Sequence, residues 1–197
     1  IISKFLSPSY TDISVGIDWK PNSIFSLYLS PVAGQITTAY VGDAVEANNP
    51  GLRMQMWEKY GTWTYSKVAN LDGTYDKIYN NCKAELGLTF KGAINYTYKD
   101  LKIITSLGLF TPYKWDKTEM YDAANKFIGY RDNNRRFGNF DVDWDTAISY
   151  QFLKCLNVTL STSLKYYNGV KIANAEGIAA ERVQFKGILG LGVGYSF

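Results

Sequence analysis

Apolar and polar residues alternate one for one along seven stretches of the chain. In the first, Ile13, Val15, Ile17 and Trp19 share one side and Asp12, Ser14, Gly16 and Asp18 the other. The second sets Phe25, Leu27 and Leu29 against Ser26, Tyr28 and Ser30. The third sets Cys82, Ala84, Leu86, Leu88 and Phe90 against Lys83, Glu85, Gly87, Thr89 and Lys91. The fourth opposes Leu101, Ile103, Thr105, Leu107 and Leu109 to Lys102, Ile104, Ser106 and Gly108. The fifth opposes Val142, Trp144, Thr146, Ile148, Tyr150 and Phe152 to Asp141, Asp143, Asp145, Ala147, Ser149 and Gln151. In the sixth, Val158, Leu160, Thr162, Leu164 and Tyr166 face away from Asn157, Thr159, Ser161, Ser163 and Lys165. The last opposes Val183, Phe185, Leu189, Leu191, Val193, Tyr195 and Phe197 to Arg182, Gln184, Lys186, Gly190, Gly192, Gly194 and Ser196. A helix needs apolar residues at three- and four-residue steps, which these stretches lack, so the pattern predicts β-strands. Several run well past the five or six residues usual in soluble strands and suit the ~9–11 that a tilted strand needs to cross a bilayer. Pro31 has no N–H for a ladder and is expected to mark a bulge or the upper end of the second strand.

The links between these strands alternate in length. Short ones fall at Lys20-Pro21-Asn22-Ser23, at Lys99-Asp100 and between Leu153 and Leu156, whereas residues 34–80, 111–138 and 167–180 form long ones. Outer-membrane barrels sort their connections in this way, with short periplasmic turns and long extracellular loops. The expected fold is therefore all-β: an antiparallel transmembrane β-barrel of the outer-membrane type. Residues 1–197 would be the C-terminal portion of one barrel domain, contributing seven strands. If the last strand ends in the periplasm, Ile1 lies outside. Bacterial barrels have even strand counts and periplasmic termini, so an odd number of strands is expected upstream. Residues 34–80 are too many for a bare loop and are expected to form an extracellular hairpin or cap around Met54, Met56, Trp57, Tyr60, Trp63 and Tyr65.

Composition narrows this picture. Hydrophobic residues make up 46% of the chain, yet no apolar run approaches the roughly 20 residues of a membrane helix. Sixteen Tyr and five Trp suit the aromatic girdles of a membrane interface. A net charge of +3 is too mild to argue for nucleic acid. Histidine is absent, which excludes Ser-His triads, His acid–base pairs and His-ligated zinc. Cys82 and Cys155 match no metal-ligand spacing, and their pairing stays open. No cofactor or catalytic site is read. No secretion signal opens the chain, so it is taken as a mature or truncated form.

Three groups of residues stand out. Gly192, Val193, Tyr195 and Phe197 resemble the terminal signal that barrel-assembly machinery reads by strand pairing. Asp141, Asp143 and Asp145 lack the glycine that a calcium loop requires after the third acid and have the spacing of one strand face. With Lys165, Arg182 and Lys186 they are expected to form a charge network inside the lumen. Lys126, Arg131, Arg135 and Arg136 would lie in an outer loop, as a contact for lipopolysaccharide phosphates or an acidic partner. Asn95-Tyr96-Thr97 and Asn157-Val158-Thr159 match the glycosylation pattern but lie at strand ends, and are discounted.

Four phrases together carry a resemblance. They are Ile2-Ser3-Lys4-Phe5-Leu6-Ser7-Pro8 with Gly16-Ile17-Asp18-Trp19-Lys20-Pro21-Asn22, then Phe25-Ser26-Leu27-Tyr28-Leu29-Ser30-Pro31, then Asp141-Val142-Asp143-Trp144, and Arg182-Val183-Gln184-Phe185-Lys186 with the Gly-Tyr-Ser-Phe ending. The chain resembles the C-terminal part of an uncharacterised "domain of unknown function" family of outer-membrane barrels from Bacteroidetes-type Gram-negative bacteria. The stretch 52–77 is long for that family. The resemblance implies further strands upstream and no catalytic residues. The expectation is an accessory or structural barrel of a larger outer-membrane assembly, with a narrow passive pore as the alternative and an enzyme third. Its partners would be outer-membrane lipid, lipopolysaccharide, the barrel-assembly machinery and other surface proteins.

Overall fold

A strand whose side chains alternate between two faces pairs with its neighbours through backbone groups alone, so seven such stretches joined in sequence predict a meander. The computed structural model describes residues 7–132, 135–153, 155–168, 171–173 and 179–193. In chain order the elements are β1 (Ser9–Trp19), β2 (Phe25–Thr38), α1 (Asp43–Asn48), α2 (Leu52–Tyr60), β3 (Trp63–Tyr65), β4 (Lys77–Tyr79) and β5 (Cys82–Tyr98). They continue with β6 (Leu101–Pro112), β7 (Lys117–Tyr121), β8 (Phe127–Asp132), β9 (Asp141–Leu153), β10 (Leu156–Tyr166), β11 (Lys171–Ala173), β12 (Ala179–Glu181) and β13 (Gln184–Val193). Seven of these form one antiparallel sheet in the order β1-β2-β5-β6-β9-β10-β13. Each alternating stretch thus becomes a strand beside the one before it. The sheet is open, with β1 and β13 at its edges.

Register carries the predicted faces across the sheet in rows. Ile103 lies opposite Ile148, Ile148 opposite Leu160, and Leu160 opposite Leu189. One row toward the short turns, Leu101, Tyr150, Val158 and Leu191 are aligned. Toward the long connections come Thr105, Thr146, Thr162 and Gly187, then Leu107, Trp144, Leu164 and Phe185. The hydroxyls of that threonine row are internally bonded: Thr105 Oγ1 lies 2.8 Å from Thr146 Oγ1 and accepts from Trp144 Nε1 at 2.9 Å. The opposite face carries Ser106, Asp145, Ser163 and Lys186 in one row and Gly108, Asp143, Lys165 and Gln184 in the next.

The apolar face is uncovered. Val15 is 72% exposed, Ile17 74%, Leu191 76% and Val193 80%. These are fractions that a water-facing strand gives to charged side chains. Among the described residues the buried apolar ones, Ala33, Ala39, Val41, Met56 and Phe110, are few and scattered, without the contiguous core of a soluble domain.

Pro31 does not end the second strand, which runs on to Thr38. Pro31 and Val32 are exposed in succession between buried Ser30 and Ala33, which breaks the two-residue period there. Ser30 is fully buried there, its hydroxyl 2.8 Å from both Val15 O and Val32 O, and its single proton serves either. Across from it, a Cβ on Gly16 would collide with the carbonyl oxygen of Leu29 and fall 2.6 Å from Ser30 Cα. Backbone packs against backbone at Gly16, which leaves no room for a side chain there.

Each long connection contains a two-stranded hairpin: β3–β4, β7–β8 and β11–β12. The first also holds the two helices, which the alternation did not predict. Met54, Met56, Trp57 and Tyr60 lie on α2 and Trp63 and Tyr65 on β3, so the connection holds helix as well as hairpin. Helix α2 ends at Gly61, whose φ of 66° favours a residue without Cβ. The chain divides into two compact units. One comprises residues 1–13, 33–87 and 113–136, and the other residues 14–32, 88–112 and 137–197.

Candidate functional site

Within the second unit, the polar face of β9, β10 and β13 gathers the predicted acids. Lys165 Nζ lies 3.0 Å from Asp143 Oδ1, since the two are directly paired in register. Tyr167, just past β10, donates its hydroxyl to the same oxygen at 2.8 Å. Burial and that carboxylate acceptor push the Tyr167 phenol up to about 12, so it stays a proton donor at every physiological pH. Asp141 is buried and accepts from the backbone N–H of Asn168 at 2.8 Å. Asp145 and Lys186 share a row with Ser163 between them, and among the described residues neither enters an ion pair. Arg182 precedes β13 and is exposed off the ladder, so it does not join the network that sequence alternation assigned to it. Of the six charged residues expected to act together, Asp143 and Lys165 form an ion pair.

A shallow depression of ≈ 430 Å³ lies on this face, lined by Ser106, Asp145, Ser161, Ser163, Lys165 and Lys186 with Ile104 and Ile188 beside them. Successive acids on one strand face stand ~7 Å apart, too far to share one cation without help from elsewhere. Among the described residues no group of three His, Cys, Asp or Glu is placed to hold a metal. Cys82 and Cys155 are both free and exposed.

The four basic residues of the second long connection separate into two kinds. Arg131 projects from β8 between two phenol rings of the first long connection, its guanidinium carbon 3.9 Å from the Tyr65 centroid and 4.7 Å from that of Tyr75. Arg135 is buried, with Nε 2.5 Å from Glu85 Oε1 on β5. Both guanidinium groups thus make contacts inside the first unit. Lys126 and Arg136 remain exposed, with Arg136 lying over Trp115 at 5.3 Å. Beside them Lys117 Nζ is held between Trp115 at 4.4 Å and Tyr130 at 4.5 Å.

Two connections of the first unit interlock. Tyr121 of β7 forms an isolated parallel bridge with Val68, its N–H donating to Lys67 O at 2.8 Å and its carbonyl accepting from Ala69 N at 2.9 Å. Lys67 and Glu119 pair at 3.1 Å across the same junction. Tyr75, Tyr167, Asn168 and Glu85, the partner of Arg135, were missed as site residues, and Tyr65 was read only as part of the connection. Only Tyr167 carried a signal, because it continues the parity of Lys165.

Of the terminal signal, Gly192 and Val193 lie in β13 and Tyr195 and Phe197 lie outside the described residues. Gly192 pairs with Asn157, whose side chain occupies the space that a Cβ would need. No protein-family model matches the chain, and neither a curated protein nor a solved structure is found similar to it.

Proposed function

We propose that this chain forms a sector of a bacterial outer-membrane β-barrel wall and acts as a structural or accessory subunit of a larger outer-membrane assembly, without catalysis. One observation carries the reading: exposed apolar side chains recur at alternate positions on β1, β9 and β13, while the opposite face of β6, β9, β10 and β13 carries rows of Ser, Asp and Lys. Hydrocarbon is the medium in which such a face is stable once further strands pair the edges β1 and β13, since lipid offers no partner for free backbone groups. Trp19, Tyr96, Tyr98, Tyr150 and Phe152 are exposed toward the short-turn ends of their strands, which suits an interfacial girdle. Both edge strands run in the same direction, so antiparallel closure takes an odd number of further strands. Lipid and lipopolysaccharide would contact the outer face, and the barrel-assembly machinery would insert the chain.

The accessory role is supported by the folded cap. Interlocked connections present a fixed surface to a neighbour, whereas a solute channel needs an unobstructed mouth. A narrow passive pore is the second reading, supported by the depression that holds Ser106, Asp145 and Lys186. Purification from native membranes in mild detergent tests the choice. A stoichiometric companion protein is expected. A chain that purifies alone and gives stepwise single-channel conductance would favour the pore.

A further inference from the structure

The β7–β8 hairpin of the first unit has one face turned inward and one turned out. Thr118 and Arg131 are paired in register, and Arg131 lies between the Tyr65 and Tyr75 rings, so that face is internal. Side chains alternate along a strand, which puts Tyr130 and Asp132, with Glu119 and Lys117 opposite them, on the other face. Rings gather there. Trp115, just before β7, is 42% exposed, Tyr130 53% and Phe127 47%. Phe127 meets Tyr130 edge-on with centroids 5.1 Å apart, and Tyr121 meets Phe127 at 5.8 Å.

The available charge on this face is one-sided. Lys117 spans the Trp115 and Tyr130 rings, and Arg136 lies over Trp115. The acids near them are engaged: Asp132 accepts from Trp115 Nε1 at 2.9 Å and stands 4.0 Å from Arg136, while Glu119 pairs with Lys67 at 3.1 Å. Asp122 is held within the turn, accepting from Ala124 N and Lys126 N. Lys117 and Lys126 are exposed, and among the described residues neither enters an ion pair.

Cross-strand contacts between rings and cations stabilise a hairpin by themselves. They do not account for three large rings left exposed beside ammonium groups without a counter-charge. Contiguous exposed apolar surface marks a binding surface, and an apolar partner would cover Lys117 at a cost in free energy. The negative face of an aromatic ring accepts the C–H side of a sugar ring, phenol and ammonium groups bond its hydroxyls, and cations pair with its acid groups. The rings favour a sugar over an acidic peptide, because a pyranose presents a flat C–H face and a carboxylate side chain does not. We infer that the outer face of β7–β8, built on Trp115, Lys117, Phe127 and Tyr130 with Arg136 beside Trp115, binds an acidic polysaccharide. This uses the first unit alone and goes beyond the barrel reading, standing whether or not the sheet meets lipid.

Affinity electrophoresis of the full chain in mild-detergent native gels tests it. The gels carry polygalacturonate, alginate, hyaluronan, neutral dextran or purified lipopolysaccharide. At least one acidic polymer is expected to retard the wild type, less so as salt is added, and dextran is not. Tyr130→Ala and Lys117→Gln should each weaken binding about tenfold, whereas Tyr130→Phe and Lys117→Arg keep most of it. Lys59→Gln removes a cation that lies over Tyr60 elsewhere in the unit, and should bind as the wild type does. Amide exchange across residues 117–132 identifies any variant that has lost the hairpin, and the comparison then rests on Lys117→Gln against Lys117→Arg. No retardation by any acidic polymer, equal retardation by dextran, or a Lys59→Gln loss matching that of Lys117→Gln overturns the assignment. So does tighter binding of lipopolysaccharide than of every free polymer, which would make the surface a lipid-headgroup contact.

Discussion

Arginine scanning along β13 separates a hydrocarbon-facing strand from a water-facing one by sign as well as size. The ten residues of β13 rise ~3.3 Å each, and a tilt of ~40° leaves about 2.5 Å per residue along the membrane normal. The strand therefore covers about 25 Å, the height of the apolar band of such barrels. Leu189 falls within about 2 Å of the midplane by this arithmetic, Leu191 about 6 Å from it and Val193 about 11 Å. Leu189→Arg is expected to cost roughly 2–4 kcal/mol of stability in the bilayer, equal to about a 30- to 1,000-fold loss in the folding equilibrium. Leu191→Arg is expected to cost somewhat less and Val193→Arg roughly 0–1 kcal/mol. Ile188→Arg, at the same depth on the polar face, serves as the control and should stay within about 1 kcal/mol. Reversible urea unfolding in vesicles of defined lipid measures all four. Were the sheet water-facing, each exposed substitution would stay within about 0.5 kcal/mol and show no gradient with depth, and that result would refute the reasoning.

The remaining predictions concern local packing and charge. Gly16→Ala should destabilise the β1–β2 pair by roughly 1–3 kcal/mol, read by unfolding in the same vesicles, because the new methyl meets backbone rather than a movable side chain. Arg131→Ala should loosen the β7–β8 hairpin by roughly 0.5–2 kcal/mol, seen as faster amide exchange across residues 117–132; protection equal to wild type would deny the guanidinium a stapling role. In the cap, the hydrogen bond and charge of Lys77 hold the Glu58 carboxyl below its ordinary value, and Glu58 raises the Lys77 ammonium in return. A depressed carboxyl contributes stability above its unfolded value and loses it as pH falls through the folded one; the raised ammonium contributes below its unfolded value and loses it as pH rises through the folded one. Amide protection over residues 52–79 should therefore decline modestly at both ends of the pH range, and Glu58→Gln should abolish the acid limb.

Much of the sheet was legible because its signal is local. Strict two-residue alternation in β1, β6, β9 and β10 gave strand, face and pairing order without any knowledge of what lies between them. The same alternation failed at Pro31, where Pro31 and Val32 are exposed in succession and the strand runs on to Thr38. It failed again at Arg182, which keeps the parity of β13 but lies beyond the last ladder bond. Helix α2 was illegible for a related reason. Leu52, Met54 and Met56 step by two like a strand, and only Met56 is buried, so packing by the surrounding cap rather than an apolar stripe selects the helix. The roles of Arg131 and Arg135 depend on partners at Tyr65, Tyr75 and Glu85, far away in sequence. Charge and composition carry no trace of such pairings, which is why a basic run read as a contact surface proved half internal.

The central claim is that the face bearing Val15, Ile17, Leu189 and Leu191 meets lipid chains. It is tested most directly by placing single fluorescent labels at residues 187 to 192 of a variant with Cys82 and Cys155 replaced by serine, reconstituted with chain-brominated lipid. Strong quenching at 187, 189 and 191 with weak quenching at 188, 190 and 192 is the predicted result. Equal, weak quenching at all six positions, or a label series that stays soluble without lipid or detergent, would contradict it.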